Sequence, residues 1–395
     1  MSRIAGIAAV VAALIASNCS ARAGSESRLQ LRDTIRILEG LQDATAKGEQ
    51  AAVDVQSKLT LQIDTDIKNI DWADLQDPRN LRALAVYLFS GGNPDVVEQR
   101  LAPLKNDQEL KGLLDGALAY TRGDKINAGK LLKDVDPDKL PANLGGRVAL
   151  VKAILISQTD LKSALKLLST VRTLMPGTLV EEAALRRCIN FAGKLRDVRQ
   201  LELCASLYVR RFPKSVYWQE FEDNFALTQA TVDYANEPRL FARMDMGLSD
   251  LPLATHRKML LAIGKAAVTR GKFSLANLAA ARSNQMSLAG SVDMVRSNLY
   301  MGAGMIVLQD YEAGRRKLEA INRAVLDESD QALLDKALNI VNQIAEQPAI
   351  SREKAVETLS PSEQKANLSQ TYIDVVARAQ NALADASDNN MGTLQ

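Results

Sequence analysis

Apolar residues recur along this chain at intervals of three and four. Leu31, Ile35, Leu38 and Leu41 form one stripe, and Val55, Leu59, Ile63, Ile67 and Ile70 form a second. Each is the single apolar face of an amphipathic helix. Asp71-Trp72-Ala73-Asp74 and then Asp77-Pro78 interrupt the pattern. Asp77 is placed to cap the next helix, with Pro78 at its first position, where a missing N–H costs nothing.

From residue 78 the pattern repeats. Short helices come in pairs whose members are separated by a Gly- or Asp-containing turn. Anchored at Gly92, Gly123, Thr159, Gly193, Gly271 and Gln309, the steps are 31, 36, 34, 78 and 38. The step of 78 spans two repeats, so a degenerate pair is expected within residues 215–255. Ala128, Ala164, Val198 and Ala276 follow their turns by five residues, and Leu132, Leu168 and Ala280 by nine, a second series that Glu202 breaks. A period of about 34, with small residues where two helices must approach closely, is tetratricopeptide-like. The Trp and Tyr positions of that repeat are mostly unfilled. The fold class predicted is all-α, helical hairpins in a divergent tetratricopeptide-like solenoid. An irregular bundle of similar hairpins is the alternative.

Composition agrees with helix. The chain is 47% hydrophobic but only 4% aromatic, and its Val, Ile, Tyr and Phe do not cluster into alternating runs. A formal net charge of +2 gives no overall electrostatic argument for nucleic acid or a membrane surface. The first 23 residues change the picture more. Arg3 precedes an uncharged apolar run, Ile4 to Ala16, and Ala21-Arg22-Ala23 is an A-x-A cleavage site. This is the three-part pattern of a secretory signal, and its apolar run is too short to span a bilayer. A mature start near Gly24, a periplasmic location and no membrane span after cleavage are expected. Lipidation at Cys19 is the competing possibility, although Asn18 occupies a place that calls for a small residue.

The resulting organisation is a signal peptide over 1–23, N-terminal helices over 24–77 and a helical-repeat domain over 78–347. A linker over 348–365 leads to a C-terminal amphipathic helix over 366–388, carrying Leu368, Tyr372, Val376, Ala379 and Leu383, and a disordered tail over 389–395.

The hairpin between Arg186 and Phe221 concentrates what chemistry there is. Ile189 and Phe191 belong to its first helix, and Gly193 and Lys194 mark the turn. Val198, Leu201, Leu203 and Leu207 continue in a second helix that Pro213 ends. Cys188 and Cys204 are equidistant from residue 196, beside that turn, and so face each other across two antiparallel helices. In an oxidising compartment that geometry permits a disulfide; two buried free thiols are the alternative. The same segment carries Arg186, Arg187, Lys194, Arg196, Arg199, Arg210, Arg211 and Lys214 against Asp197 and Glu202. It reads either as a patch for an acidic partner or cell-wall carboxylates, or as a solvated face offset by Glu181, Glu182, Glu220, Glu222 and Asp223.

Enzyme signatures are missing. The lone histidine, His256, is expected to be a surface or capping residue, since catalytic use needs a partner that no motif supplies. No serine sits in a G-x-S-x-G elbow, no cysteine pairs have zinc spacing, and Gly91-Gly92 and Gly145-Gly146 lack the context of a phosphate loop. No catalytic residue, metal site or cofactor is predicted.

Two stretches carry a resemblance. Asn80-Leu81-Arg82-Ala83-Leu84-Ala85-Val86-Tyr87-Leu88-Phe89-Ser90-Gly91-Gly92-Asn93-Pro94 and Tyr208-Val209-Arg210-Arg211-Phe212-Pro213-Lys214-Ser215-Val216-Tyr217 resemble the MotC family, periplasmic motility proteins of rhizobia and related bacteria. The resemblance implies a non-enzymatic role in flagellar motor rotation. It also implies action on the periplasmic part of the stator protein MotB, which lies close to peptidoglycan, and no cofactor. A cell-wall enzyme of the lytic transglycosylase kind and an envelope assembly lipoprotein are the competing readings; the first lacks a catalytic domain here.

Overall fold

The two N-terminal stripes fold as a hairpin of helices, α1 (Leu31–Ala46) and α2 (Ala51–Asn69), followed by the short α3 (Trp72–Leu75). This is a computed structural model, and it describes residues 31–102, 108–234, 238–308 and 311–346. The signal, linker, final helix and tail expected at 1–23, 348–365, 366–388 and 389–395 lie outside the described residues, as does the turn expected at Gln309.

From Pro78 the helices come in pairs. α4 (Pro78–Phe89) precedes α5 (Pro94–Leu101), α6 (Gln108–Thr121) precedes α7 (Lys125–Leu131), and α8 (Ala142–Ile156) precedes α9 (Leu161–Leu174). Then come α10 (Leu179–Leu195) with α11 (Val198–Arg211), α12 (Trp218–Gln229) with α13 (Pro238–Gly247), and α14 (Leu253–Thr269) with α15 (Phe273–Gln285). The last pair is α16 (Val292–Met305) with α17 (Tyr311–Glu319), followed by α18 (Glu328–Glu346). Among the described residues there is no strand, so the chain is all-helical there. α12 and α13 occupy the interval left for a degenerate pair.

Each even helix from α8 to α16 packs on the next even helix, and α7, α9, α15 and α17 each pack between the even helix before and the one after. Aspartate starts several odd helices: Asp124, Asp160 and Asp197 each accept a backbone N–H three residues on, satisfying an otherwise orphaned donor. Asp77 caps α4 in the expected way, accepting from the Arg79 N–H at 2.8 Å.

One expected anchor is displaced. Gly193 is not in the turn. α10 runs on to Leu195, and the left-handed residue that ends it is Arg196, at φ 55°. Arg196 therefore takes the place that Gly123 (φ 80°) and Gly271 (φ 66°) hold in their hairpins. Asp197, Asp124 and Lys272 each donate a backbone N–H to a carbonyl five residues back, so the three turns close alike. Counted from Arg196, the residues five and nine further on are Leu201 and Ala205, both buried, as are Ala128, Leu132, Ala276 and Ala280. The break assigned to Glu202 is a register error of three residues, and the steps around this hairpin become 37 and 75. Gly193 serves packing instead: a Cβ there would overlap Thr228 Cγ2 on α12.

Two apolar clusters run through the array, the first from α1 to α8 and the second from α8 onward. α1 ties them together. It packs against α2, α4 and α10. Its Glu39 pairs with the buried Arg147 of α8 at 2.9 Å, and Gln42 donates to the Ser90 carbonyl at 2.9 Å. Asp43 accepts from the Leu179 N–H at 2.8 Å. Burial raises the Asp43 pKa, against the pull of that N–H and of Arg147.

Candidate partner-binding surface

The hairpin of α10 and α11 is closed by a disulfide, Cys188–Cys204, with sulfurs 2.04 Å and Cα atoms 6.3 Å apart. Both cysteines are buried. Cys188 lies eight residues before Arg196 and Cys204 eight residues after it, so the bond crosses the two helices about two turns from their junction.

The basic residues of this hairpin divide into three groups. Arg186 is inside. Its Nε donates to Glu182 Oε1 at 2.9 Å, Nη1 pairs with Glu220, and its guanidinium lies 4.5 Å over the Tyr217 ring. Glu182 is fully buried and also accepts from Tyr208 Oη at 2.6 Å and Ser215 Oγ at 3.3 Å. Burial disfavours the charged guanidinium, but Glu182 and Glu220 outweigh it and raise the Arg186 pKa. Burial, and then the Glu182 carboxylate, push the Tyr208 hydroxyl well up. Tyr208 in turn stacks on Phe221, with ring centroids 4.0 Å apart. Arg186 is thus the counter-ion of a buried carboxylate and is not offered to a partner. Arg187, half-buried beside it, donates to the Ala183 carbonyl at 3.2 Å, and burial lowers its pKa.

Lys194, Arg196 and Arg199 form a second group, exposed at the turn end of the hairpin. Arg210, Arg211 and Lys214 form a third at the far end of α11, and Arg211 reaches back to pair with the buried Glu181. At 1.5 Å per residue, the ends of the 14-residue α11 are about 20 Å apart. A single basic patch over 186–214 is therefore corrected to two exposed ends and a buried ion network.

His256 is corrected too. It is buried, and its Nε2 lies 2.8 Å from Asp245 Oδ1, whose other oxygen takes Arg282 Nε at 2.9 Å. One carboxylate thus joins α13, α14 and α15. Sequence reading missed Asp245, Tyr208 and Ser215, because their partners are set by packing between helices. The buried acids Glu181 and Glu182 were visible only as charges offsetting the patch. Among the described residues no group of three or more His, Cys, Asp or Glu is arranged to hold a metal. No helix there is long and apolar enough to cross a membrane.

Comparison with known proteins agrees with the resemblance in the sequence. A curated protein of Rhizobium meliloti (strain 1021), "Chemotaxis protein MotC", is 29% identical over 337 residues, covering 83% of this chain and 75% of that protein. No solved structure matches the chain. The family described as "Chemotaxis protein MotC" matches over residues 1–393, which is nearly the whole length. The chain belongs to the MotC family of chemotaxis proteins.

Proposed function

We propose that this protein is a non-enzymatic periplasmic factor for flagellar rotation that binds the periplasmic part of the stator protein MotB. The family match over residues 1–393 carries the reading. Three features support the finer points. The Cys188–Cys204 disulfide suits an oxidising compartment, as the signal-like first 23 residues do. The serial packing of even helices supports a divergent tetratricopeptide-like solenoid, an architecture that offers a partner a long continuous surface. A binding protein of this kind acts by favouring one conformation of its partner over another, which requires differential affinity and no chemistry.

Deletion followed by microscopy tests the role. Flagellated cells that do not rotate their filaments are expected; normally swimming cells overturn it, and cells without filaments move the role to assembly. Pull-down of the purified chain with the periplasmic part of MotB tests the partner, and absence of binding overturns that assignment.

A further inference from the structure

Two odd helices lie side by side in the middle of the array, α11 and α13. They run parallel, because Glu202 pairs with Arg243 and, one turn further along both, a Cβ at Gly247 would sit 3.3 Å from Ser206 Oγ. That register determines what their outer faces hold. Arg199, Leu203 and Arg210 share one stripe of α11, four and then seven residues apart. Arg239, Arg243 and Met246 share one stripe of α13, four and then three residues apart. All six are exposed, Met246 at 72% and Leu203 at 41%. Leu203 stands level with Met244, so Leu203 and Met246 are about 3 Å apart along the helix axes. Arg199 and Arg239 stand at one end of this apolar pair, and Arg210 about 16 Å away at the other.

Two things set the face apart from an ordinary solvated surface. Its cations are largely unmatched. Among the described residues Arg199 and Arg239 have no ion pair, and Arg210 donates Nε only to the Ser206 carbonyl, at 3.3 Å. Arg243 takes Glu202, the acid on these stripes. Its cations are also all arginine, the side chain whose planar fork pairs with carboxylates two bonds at a time and keeps that geometry at interfaces. Single exposed apolar residues are common on any protein, but here two are framed between unpaired guanidinium groups on adjacent helices.

We propose that this α11–α13 face docks an acidic amphipathic helix of a partner protein. Apolar side chains of that helix cover Leu203 and Met246, and its carboxylates pair with Arg199 and Arg239 at one end and Arg210 at the other. A span of about 16 Å is three helical turns, which suits a helix lying along this face. The inference rests on the reading that the chain works by binding a protein.

The test places a photo-crosslinking residue at Met246 of the full chain in its own cells, with Leu288, exposed elsewhere, as the control position. The crosslinked peptide is then sequenced. The expected adduct maps to an acidic helical segment of a protein, is lost in R199E/R239E, persists in R199K/R239K and is not formed from Leu288. An adduct with phospholipid, no adduct, or an adduct indifferent to charge reversal overturns the proposal. M246D serves as a second variant at a site where the side chain carries little packing, and it should weaken binding to the purified MotB periplasmic part about tenfold or more. Undiminished binding by a folded M246D overturns this docking face and leaves the proposed function standing. If the wild-type chain does not bind MotB while the Met246 adduct maps to an acidic helix of another protein, the stator assignment falls and the docking face stands.

Discussion

Replacing Arg186 with Met removes the cation beside Glu182 and leaves the carboxylate in place. Glu182 has no exposed surface. It would keep the Tyr208 hydroxyl at 2.6 Å and Ser215 at 3.3 Å but lose every charged donor. Leaving one member of a buried pair uncompensated costs about 3–5 kcal/mol, whereas losing an exposed pair costs about 0.2–1 kcal/mol. The first range should apply to Arg186→Met and the second to Glu220→Gln, whose side chain is more than half exposed. Arg186→Met/Glu182→Gln removes both charges and keeps an acceptor for Tyr208, so it should recover at least about 2 kcal/mol of the single loss. Urea unfolding followed by fluorescence reads this region, because one of the two tryptophans, Trp218, lies 5.1 Å from Phe221 and 6.1 Å from Tyr208. A loss below about 1 kcal/mol for Arg186→Met, or effects that simply add, would refute the assignment of Arg186 as a buried counter-ion. It would then return to the exposed basic set.

Four further outcomes follow from the same geometry. Cys188→Ser/Cys204→Ser should lower stability by about 3 kcal/mol for a closed loop of this size, and the oxidised chain should be two hydrogen atoms lighter than the reduced one by mass spectrometry. Gly193→Ala should cost about 1–3 kcal/mol through overlap with Thr228 Cγ2, and Thr228→Ser, which deletes that methyl, should restore most of it in the double variant. Arg196→Gly should raise stability by up to about 1 kcal/mol in a thermal melt, because a non-glycine residue is held there at φ 55°. The Asp77 carboxyl is held down to about 2 by the Arg79 side chain and then by its backbone N–H. With the folded value below the unfolded 3.8, its contribution is present above about pH 4 and is lost as pH falls through about 2, a midpoint that carbon-detected NMR of the Asp77 carboxyl should reproduce.

Helix was legible in this sequence because its signal is local. The stripes at Leu31–Leu41 and Ile63–Ile67 fold as single buried faces, and Asp77, Asp124, Asp160 and Asp197 mark helix starts. The turn in the central hairpin was misplaced because a glycine is the usual left-handed residue. Here Arg196 adopts that conformation, and Gly193 is spent on close approach to α12. The basic set was legible as composition and illegible as a surface. Arg186 and Arg211 are committed to Glu182 and Glu181 by packing, and nothing in a periodicity of 3.6 says which arginine an acid will claim. Arg239, Arg243 and Met246 do have helical spacing, but they sit in the pair that carried no turn signal.

The buried polar ties explain why an array of small-residue interfaces keeps one register. Contacts among Ala, Gly and Leu are non-directional, so helices joined by them alone could slide by a turn at modest cost. Tyr87, Tyr208 and Tyr300 prevent that. Each is fully buried, and each donates its hydroxyl to a carboxylate, at Asp64 (2.6 Å), Glu182 (2.6 Å) and Asp330 (2.8 Å). The first tie joins α2 to α4, the second α10 to α11, and the third α16 to α18. Asp330 also takes Arg296 at 2.7 Å and Lys265 at 2.9 Å, so a third even helix, α14, is included. Sliding any of these helices would orphan a buried hydroxyl and a carboxylate, at about 1–3 kcal/mol for each group and more for the charge. The ties fall near the start, the middle and the end of the described chain, so each stretch of apolar stacking is pinned at both ends. A face built across two neighbouring helices, as on α11 and α13, depends on that pinning: Arg199, Leu203, Met246 and Arg239 form one surface only while Glu202 and Arg243 stay level.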